Sequence, residues 1–435
     1  MAHFGDDLEP VEPAPLPGGS VDLHGTLPEP TAPARPRVGR VAAVIASVMV
    51  VVAGGVFAVS QAASSGAPST PDAAVRQMLD SLSRTDLLGA IRDLPPSEAG
   101  PFSSSATEIA SQLERLGILA QGTNLSDLPG VSISFDDVTT STTQLSDDVA
   151  DVRFTGGTVH TTADPAELPY GTALATTVLR GKRFPPPKQK TVPIAGTSNF
   201  VVTTVKAGGS WHVSLLYTIA ENLRLRAHRG APNFGQGVPA VGAATPEAAV
   251  QTLVSAAASL DFRRVVELTS PDTDAVLHDY APLLLPAVEL ATAAANLKGI
   301  SIDVTNLGLH SVTSGDTGRV TLTGVTIKVH GLDGNPTLTY NGKCFTEAGS
   351  TGTVSTCDKS FATGGGGISA LFLLMESSAP LGISVEKVGG SWYVDPVASA
   401  LDQLVLGLDA LSPGTVQTLL SRANQPPSLY LTPTG

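Results

Sequence analysis

The sequence predicts an α+β protein: two tandem units, each with helices first and an antiparallel sheet after them, behind one membrane-spanning helix. Three observations carry this expectation. A charge-free apolar run near the start is long enough to cross a bilayer. Two segments with helical apolar spacing open with the same pattern, Thr-Pro-acid-Ala-Ala-Val, at Thr70 and at Thr245. Stretches of period-two alternation follow each of them and close on the same Gly-Gly-Ser-Trp strand. Helices before strands, twice over, is the order of an α+β architecture.

Bulk properties agree. Hydrophobic residues make up 42% of the 435 and charged residues 15%, enough apolar material for packed cores and too little charge for a disordered chain. The net charge of −13 repels phosphate backbones, so nucleic-acid binding is not expected.

The transmembrane helix is placed at residues 41–62. Val41 to Val59 reads VAAVIASVMVVVAGGVFAV, and no charge follows before Asp72. As a helix this run spans about 28 Å, against a hydrocarbon core of roughly 30 Å. Arg35, Arg37 and Arg40 precede it, so the positive-inside rule puts the N-terminus in the cytoplasm and the chain after Ala62 outside. The rival reading is a cleaved signal peptide ending at Ser60-Gln61-Ala62; the length of the apolar run and of the leader before it stand against that. The leader, residues 1–40, is rich in proline and is expected to be a disordered cytoplasmic tail, with a docking motif as the alternative.

Outside the membrane, units are expected at 70–227 and 245–411, joined by a Gly/Pro linker at 228–244 and followed by a tail at 412–435. Thr70 aligns on Thr245 without a gap as far as Asp86 on Asp261. Val75, Met78, Leu79 and Leu82 match Val250, Leu253, Val254 and Ala257, the stripe of an amphipathic helix. Thr70 and Thr245 have the character of N-caps, with proline at the first helical position. A further helix is marked by Ala106, Ile109, Ala110, Leu113 and Leu116 in the first unit. In the second, Pro286 followed by Val288, Ala291 and Ala295 marks its counterpart. Val131, Ile133 and Phe135, then Ile300, Ile302 and Val304, alternate as strands. Gly208 to Val213 matches Gly389 to Val394, which makes Trp211 and Trp392 equivalent core anchors.

The Thr-Pro-acid-Ala-Ala-Val opening, the Asp86 and Asp261 helix starts and the late Gly-Gly-Ser-Trp-(His/Tyr)-Val strand together resemble the nuclear transport factor 2-like superfamily. The likeness is closest to its membrane-anchored and lipoprotein-type members in bacterial envelopes. It covers about Thr70 to Arg226 and Thr245 to Leu411. The resemblance implies a curved sheet wrapped around helices, with a pocket in the cone. Some members are enzymes and many only bind or assemble, so fold alone does not settle activity.

Asp86 and Asp261 are the one acidic position shared by both units, read either as helix caps or as weak pocket candidates. Asp136, His160, His278 and His310 are unmatched between units. No metalloprotease, nucleophile-elbow or phosphate-loop spacing occurs, and neither a catalytic residue, a metal nor a cofactor is expected. Arg180, Lys182, Arg183, Lys188 and Lys190 crowd around three prolines in what reads as a hairpin tip. Contact with an anionic surface and a plain solvated loop both fit. Cys344 and Cys357 bracket a Gly/Ser/Thr-rich loop and are expected to pair as a disulfide outside the cytoplasm. The function expected is that of a single-pass envelope protein with two non-catalytic binding or scaffold domains, engaging an envelope protein or a small apolar ligand. The alternative is a dehydratase-, isomerase- or cyclase-like enzyme using one cone pocket.

Overall fold

The computed structural model describes residues 67–181, 183–194, 200–332, 335–350, 352–355 and 380–423. The expected membrane helix, the leader, Lys182 and Cys357 lie outside them.

In the first unit three helices, α1 (Pro71–Ser83), α2 (Leu87–Arg92) and α3 (Pro96–Arg115), precede strands β1 (Val131–Gln144) and β2 (Val149–Ala163). A short helix α4 (Thr172–Thr177), strands β3 (Lys188–Pro193), β4 (Val202–Ala207) and β5 (Ser210–Val213), and helix α5 (Leu215–Arg226) follow. The second unit runs α6 (Pro246–Ala258), α7 (Phe262–Glu267), α8 (Ala275–Leu297), β6 (Ser301–Ser314) and β7 (Thr317–His330). It continues through β8 (Thr337–Tyr340), β9 (Phe345–Gly349), β10 (Gly352–Ser355), β11 (Gly382–Val388) and β12 (Ser391–Val394) to α9 (Pro396–Ala410) and α10 (Pro413–Ala423). The fold is mixed α+β, and every named strand pairing is antiparallel.

Local chemistry starts the helices. Thr70 and Thr245 adopt near-identical extended conformations (φ −134° and −135°) and accept from Ala73 N and Ala248 N, each at 3.2 Å. Proline follows each, where its missing N–H leaves nothing unsatisfied. The stripe of α1 then buries Val75, Met78 and Leu79 against Phe135, Val152, Val202 and Val213. In the second unit Ala249 and Val250 meet Val320, Val385, Trp392 and Val394.

Both long hairpins curl for the same reason. β1 carries a bulge with Asp137 at φ 52°, and β6 carries one with Asn306 at φ 55°. Beyond the bulge the partner strand changes neighbours: β2 pairs β4 at Val149–Val152 and β3 from Thr158 onward, and β7 divides between β11 and β8 in the same way. A bulge sharpens twist and lets one strand serve two partners. Trp211 and Trp392 are buried, and each is bonded to the segment preceding its unit: Trp211 N donates to Pro68 O, and Trp392 exchanges two bonds with Ala243.

Three expectations are corrected. The long helix of the second unit begins at Ala275, not near Pro286, and carries Pro282 and Pro286 inside it. Pro282 has no N–H for His278 O, but Val238 N from the linker takes that carbonyl at 2.9 Å. Gly237 is needed beside it, because a Cβ there would collide with the His278 carbonyl. Within the tail expected at 412–435, Pro413–Ala423 forms α10, with Val416 and Leu420 packed on the first unit, and the residues after Ala423 lie outside those described. The basic stretch is not a hairpin tip: it links α4, held by buried Ala173 and Leu174, to edge strand β3.

Cys344 is buried beside the β8–β9 turn, its N–H bonded to Asn341 Oδ1 at 2.9 Å. Thiol titration of the denatured, non-reduced protein is expected to find no free thiol; two would refute the Cys344–Cys357 bond. Such a bond would close a loop of about 13 residues and be worth roughly 3 kcal/mol.

Candidate functional site

In each unit a helix stands where the sheet lacks a strand. The start of β4 outruns β5, because the chain leaves the sheet at Ser214 and turns into α5. The orphaned N–H groups of Thr203 and Val201 are taken by Thr218 Oγ1 (2.9 Å) and Asn222 Oδ1 (3.1 Å). In the second unit Ser384 N and Gly382 N donate to Ser399 Oγ (2.9 Å) and Gln403 Oε1 (3.3 Å). Polar side chains four residues apart on α5 and on α9 thus replace a ladder partner.

Those helices then cross to the other unit. Tyr217 of α5 donates to Asp279 Oδ2 on α8 at 2.6 Å, and Tyr280 of α8 donates to Glu221 Oε2 on α5 at 2.7 Å. Phe234 of the linker closes an aromatic triad with both tyrosines. Reciprocally, α9 and α10 lie on α3 and α4, where Ile109 and Leu116 meet Leu408, Leu411 and Val416. Arg115 ends that contact by donating to Leu408 O (2.8 Å), Asp409 O (3.0 Å) and Leu411 O (3.0 Å). Its charge caps the negative end of α9.

The buried ionisable groups gather along this junction. Glu98, the first-turn acid of α3, accepts from Ser214 Oγ and from Leu215 N; burial pushes its pKa up to about 7. Asp151 on β2 accepts from Thr203 Oγ1 at 2.8 Å, and burial, with the like charge of Glu221 added, raises it to about 7. Burial opposes ionisation of Glu221 too, but the Arg224 guanidinium and the Tyr280 hydroxyl outweigh it and hold this carboxyl below its ordinary value. At the place matching Asp151, the second unit has Arg319, which donates to Gln403 Oε1 at 3.0 Å and lies 3.8 Å from Asp402. Gly382 leaves room for that guanidinium.

Two open clefts meet at the junction. One, of about 1090 Å³, lies between α3 and the second sheet; Ser97, Ser104, Asp272, Arg319, Glu386 and Asp402 are among the residues lining it. The other, of about 960 Å³, is lined by Glu98, Asp148, Lys206, Tyr217, Asp272 and Asp279 among others. Ser97, Ala207 and the Pro271-Asp272-Thr273 turn belong to both. Behind the first cleft Asp274 is fully buried; no side chain among the described residues bonds its carboxylate, and the Ser270 backbone is the one group beside it that favours its charge. Burial, then Asp395 and Glu386, raises its pKa to about 8. Burial also raises Glu386 and Asp395.

The sequence-derived candidates fall elsewhere. Asp86 accepts from Gly89 N (2.7 Å) and Asp261 from Arg264 N (3.0 Å); both are helix N-caps. His160 meets Asp136 at 3.1 Å on an exposed sheet face. His278 is buried, its Nδ1 donating to Val238 O, so it fastens the linker. Arg180 and Arg183 are exposed, and Lys188 and Lys190 project from edge strand β3, where charge discourages pairing with another sheet. Among the described residues no group of three or more His, Cys, Asp or Glu is placed to hold a metal. Glu98, Asp151, Glu221 and Asp274 were missed because their partners lie far away in the chain. The visible signal was a pair of polar residues four apart in each final helix, Thr218 with Asn222 and Ser399 with Gln403.

No family model and no curated protein matches the chain. Among solved structures, an "Ntf2 like protein involved in plasmid conjugation" is similar at 8% identity over 76% of this chain and 88% of that one, with a TM-score of 0.14. That score is too low to argue from.

Proposed function

We propose that this is a membrane-anchored docking protein of the bacterial envelope, whose two α+β units are copies of one nuclear transport factor 2-like domain and whose junction cleft receives a polar segment of a partner protein. The observation that carries the reading is the first cleft itself: it is open, it is built from both units, and Asp272, Glu386, Asp395 and Asp402 face a single Arg319 there. Such a lining suits a basic polypeptide better than a small apolar ligand. The matched Thr-Pro caps, bulges and strand-replacing helices support duplication. Val41 to Val59, with Arg35, Arg37 and Arg40 before it, supports an N-in anchor and an extracytoplasmic bulk. Acid–base chemistry in the same cleft is the second reading, favoured by Asp274 lying behind Glu386 and Asp395 with a raised pKa.

A photo-crosslinking residue at Ser104, inside the cleft, is expected to capture one discrete protein in intact cells. The adduct is expected to vanish in the Asp272→Asn/Glu386→Gln variant. The same residue at Thr143, exposed on β1, is expected to capture none. Equal labelling at both positions, or none at Ser104, would overturn the docking role.

A further inference from the structure

We infer that the α5–α8 helix pair is a bilayer-docking surface, holding the protein against the lipid face to which its N-terminal segment tethers it. Among the described residues, α8 is the helix long and apolar enough to cross a membrane. Its first turns prevent crossing, because His278, Asp279 and Tyr280 are bonded into the protein through Val238, Tyr217, Gly235 and Glu221. The rest emerges: Leu284, Leu290 and Leu297 are 59%, 73% and 90% exposed. On α5, packed beside it, Ile219 and Leu223 are also exposed. The matching helix of the first unit, α3, is instead covered by α9 and α10. Exposure is therefore not a general property of this element.

The flanks name the partner. Arg226, His228 and Arg229 close α5, and Lys298 follows α8, against Glu289 as the one acid between Pro286 and Lys298. In a chain of net charge −13, basic side chains thus follow the C-terminal ends of both exposed apolar helices, a pattern that suits an interfacial lipid-binding surface. The described chain begins at Ala67, and the stretch from Val59 to Ala67 reaches at most about 28 Å. That tether enters beside the lead-in to α8: Pro68 O accepts from Trp211 N, and Ala207 of the same hairpin lines the clefts with Asp272 and Thr273. The inference rests on the anchor reading for this proximity.

The test is Leu290→Trp in the full chain with vesicles of phosphatidylcholine and phosphatidylglycerol carrying brominated acyl chains. Trp211 and Trp392 are buried and give a background that the lipid does not reach. The added emission is expected to be mostly lost to brominated lipid and to resist acrylamide. Emission open to acrylamide and indifferent to bromine would overturn docking. So would emission shielded from both, which would mean that protein, such as a second copy, covers the face. Flotation of the wild-type chain reads the anchor separately, and added vesicles still report on Leu290→Trp if the anchor reading fails.

Discussion

Asp274→Asn is expected to raise the melting temperature at pH 8.5 and to raise it much less at pH 5. Asp274 caps nothing with its side chain and is fully buried, with only the Ser270 backbone favouring its charged form, so the substitution mainly removes the cost of the charge. A carboxyl whose folded pKa is raised, here from 3.8 to about 8, holds its proton more tightly in the folded chain. Its stabilising contribution is complete below the unfolded value and is lost as pH climbs through the folded one. Glu98 and Asp151, raised to about 7, act in the same direction. The wild type should therefore lose stability between pH 5 and pH 8.5. Asp72, Glu221 and Glu247 are held below their ordinary values and act the opposite way, but only on the acid side of that window. Allowing for relaxation and water entry, the gain from Asp274→Asn at pH 8.5 should be on the order of 2–4 kcal/mol. Thermal unfolding followed by circular dichroism at the two pH values measures it. A lower melting temperature at pH 8.5 would show that the anion has a stabilising partner.

Arg115→Met should uncouple the two units. The variant keeps the aliphatic stem and removes three bonds to the carbonyl end of α9, with an expected loss of about 1.5–3 kcal/mol for a charged donor on acceptors that are part-buried or exposed. Each unit holds one of the two tryptophans, so Trp211→Phe and Trp392→Phe variants report the units separately. In the parent chain the two denaturant transitions should coincide, and with Arg115→Met they should separate. Coincident transitions at an unchanged midpoint would assign Arg115 no coupling role.

Short-range features of this fold are legible in the sequence. Thr70 and Thr245 reach only three residues ahead for their bonds, and the stripe of α1 is a property of consecutive residues. Trp211 and Trp392 could be matched because each follows its own Gly-Gly turn. Asp86 and Asp261 remained ambiguous in sequence, since a carboxylate before an apolar helix start serves a cap or a pocket equally well; the bonds to Gly89 and Arg264 decide for the cap. The start of α8 was misread because proline inside a helix normally ends it. Nothing near Pro282 announces that Val238 will supply the missing donor.

The sequence by itself determined the mixed α+β class, the opening helices and their caps, the alternating faces of the long strands and the apolar segment before them, all set by periodicities and bonds within a few residues. Tertiary structure alone decided that the clefts lie between the units, that Glu98 meets Ser214, that Asp151 faces Glu221 and that α8 is left uncovered while α3 is not. These depend on which surfaces meet once chain segments far apart have folded, and burial then fixes the charge of the groups caught between them.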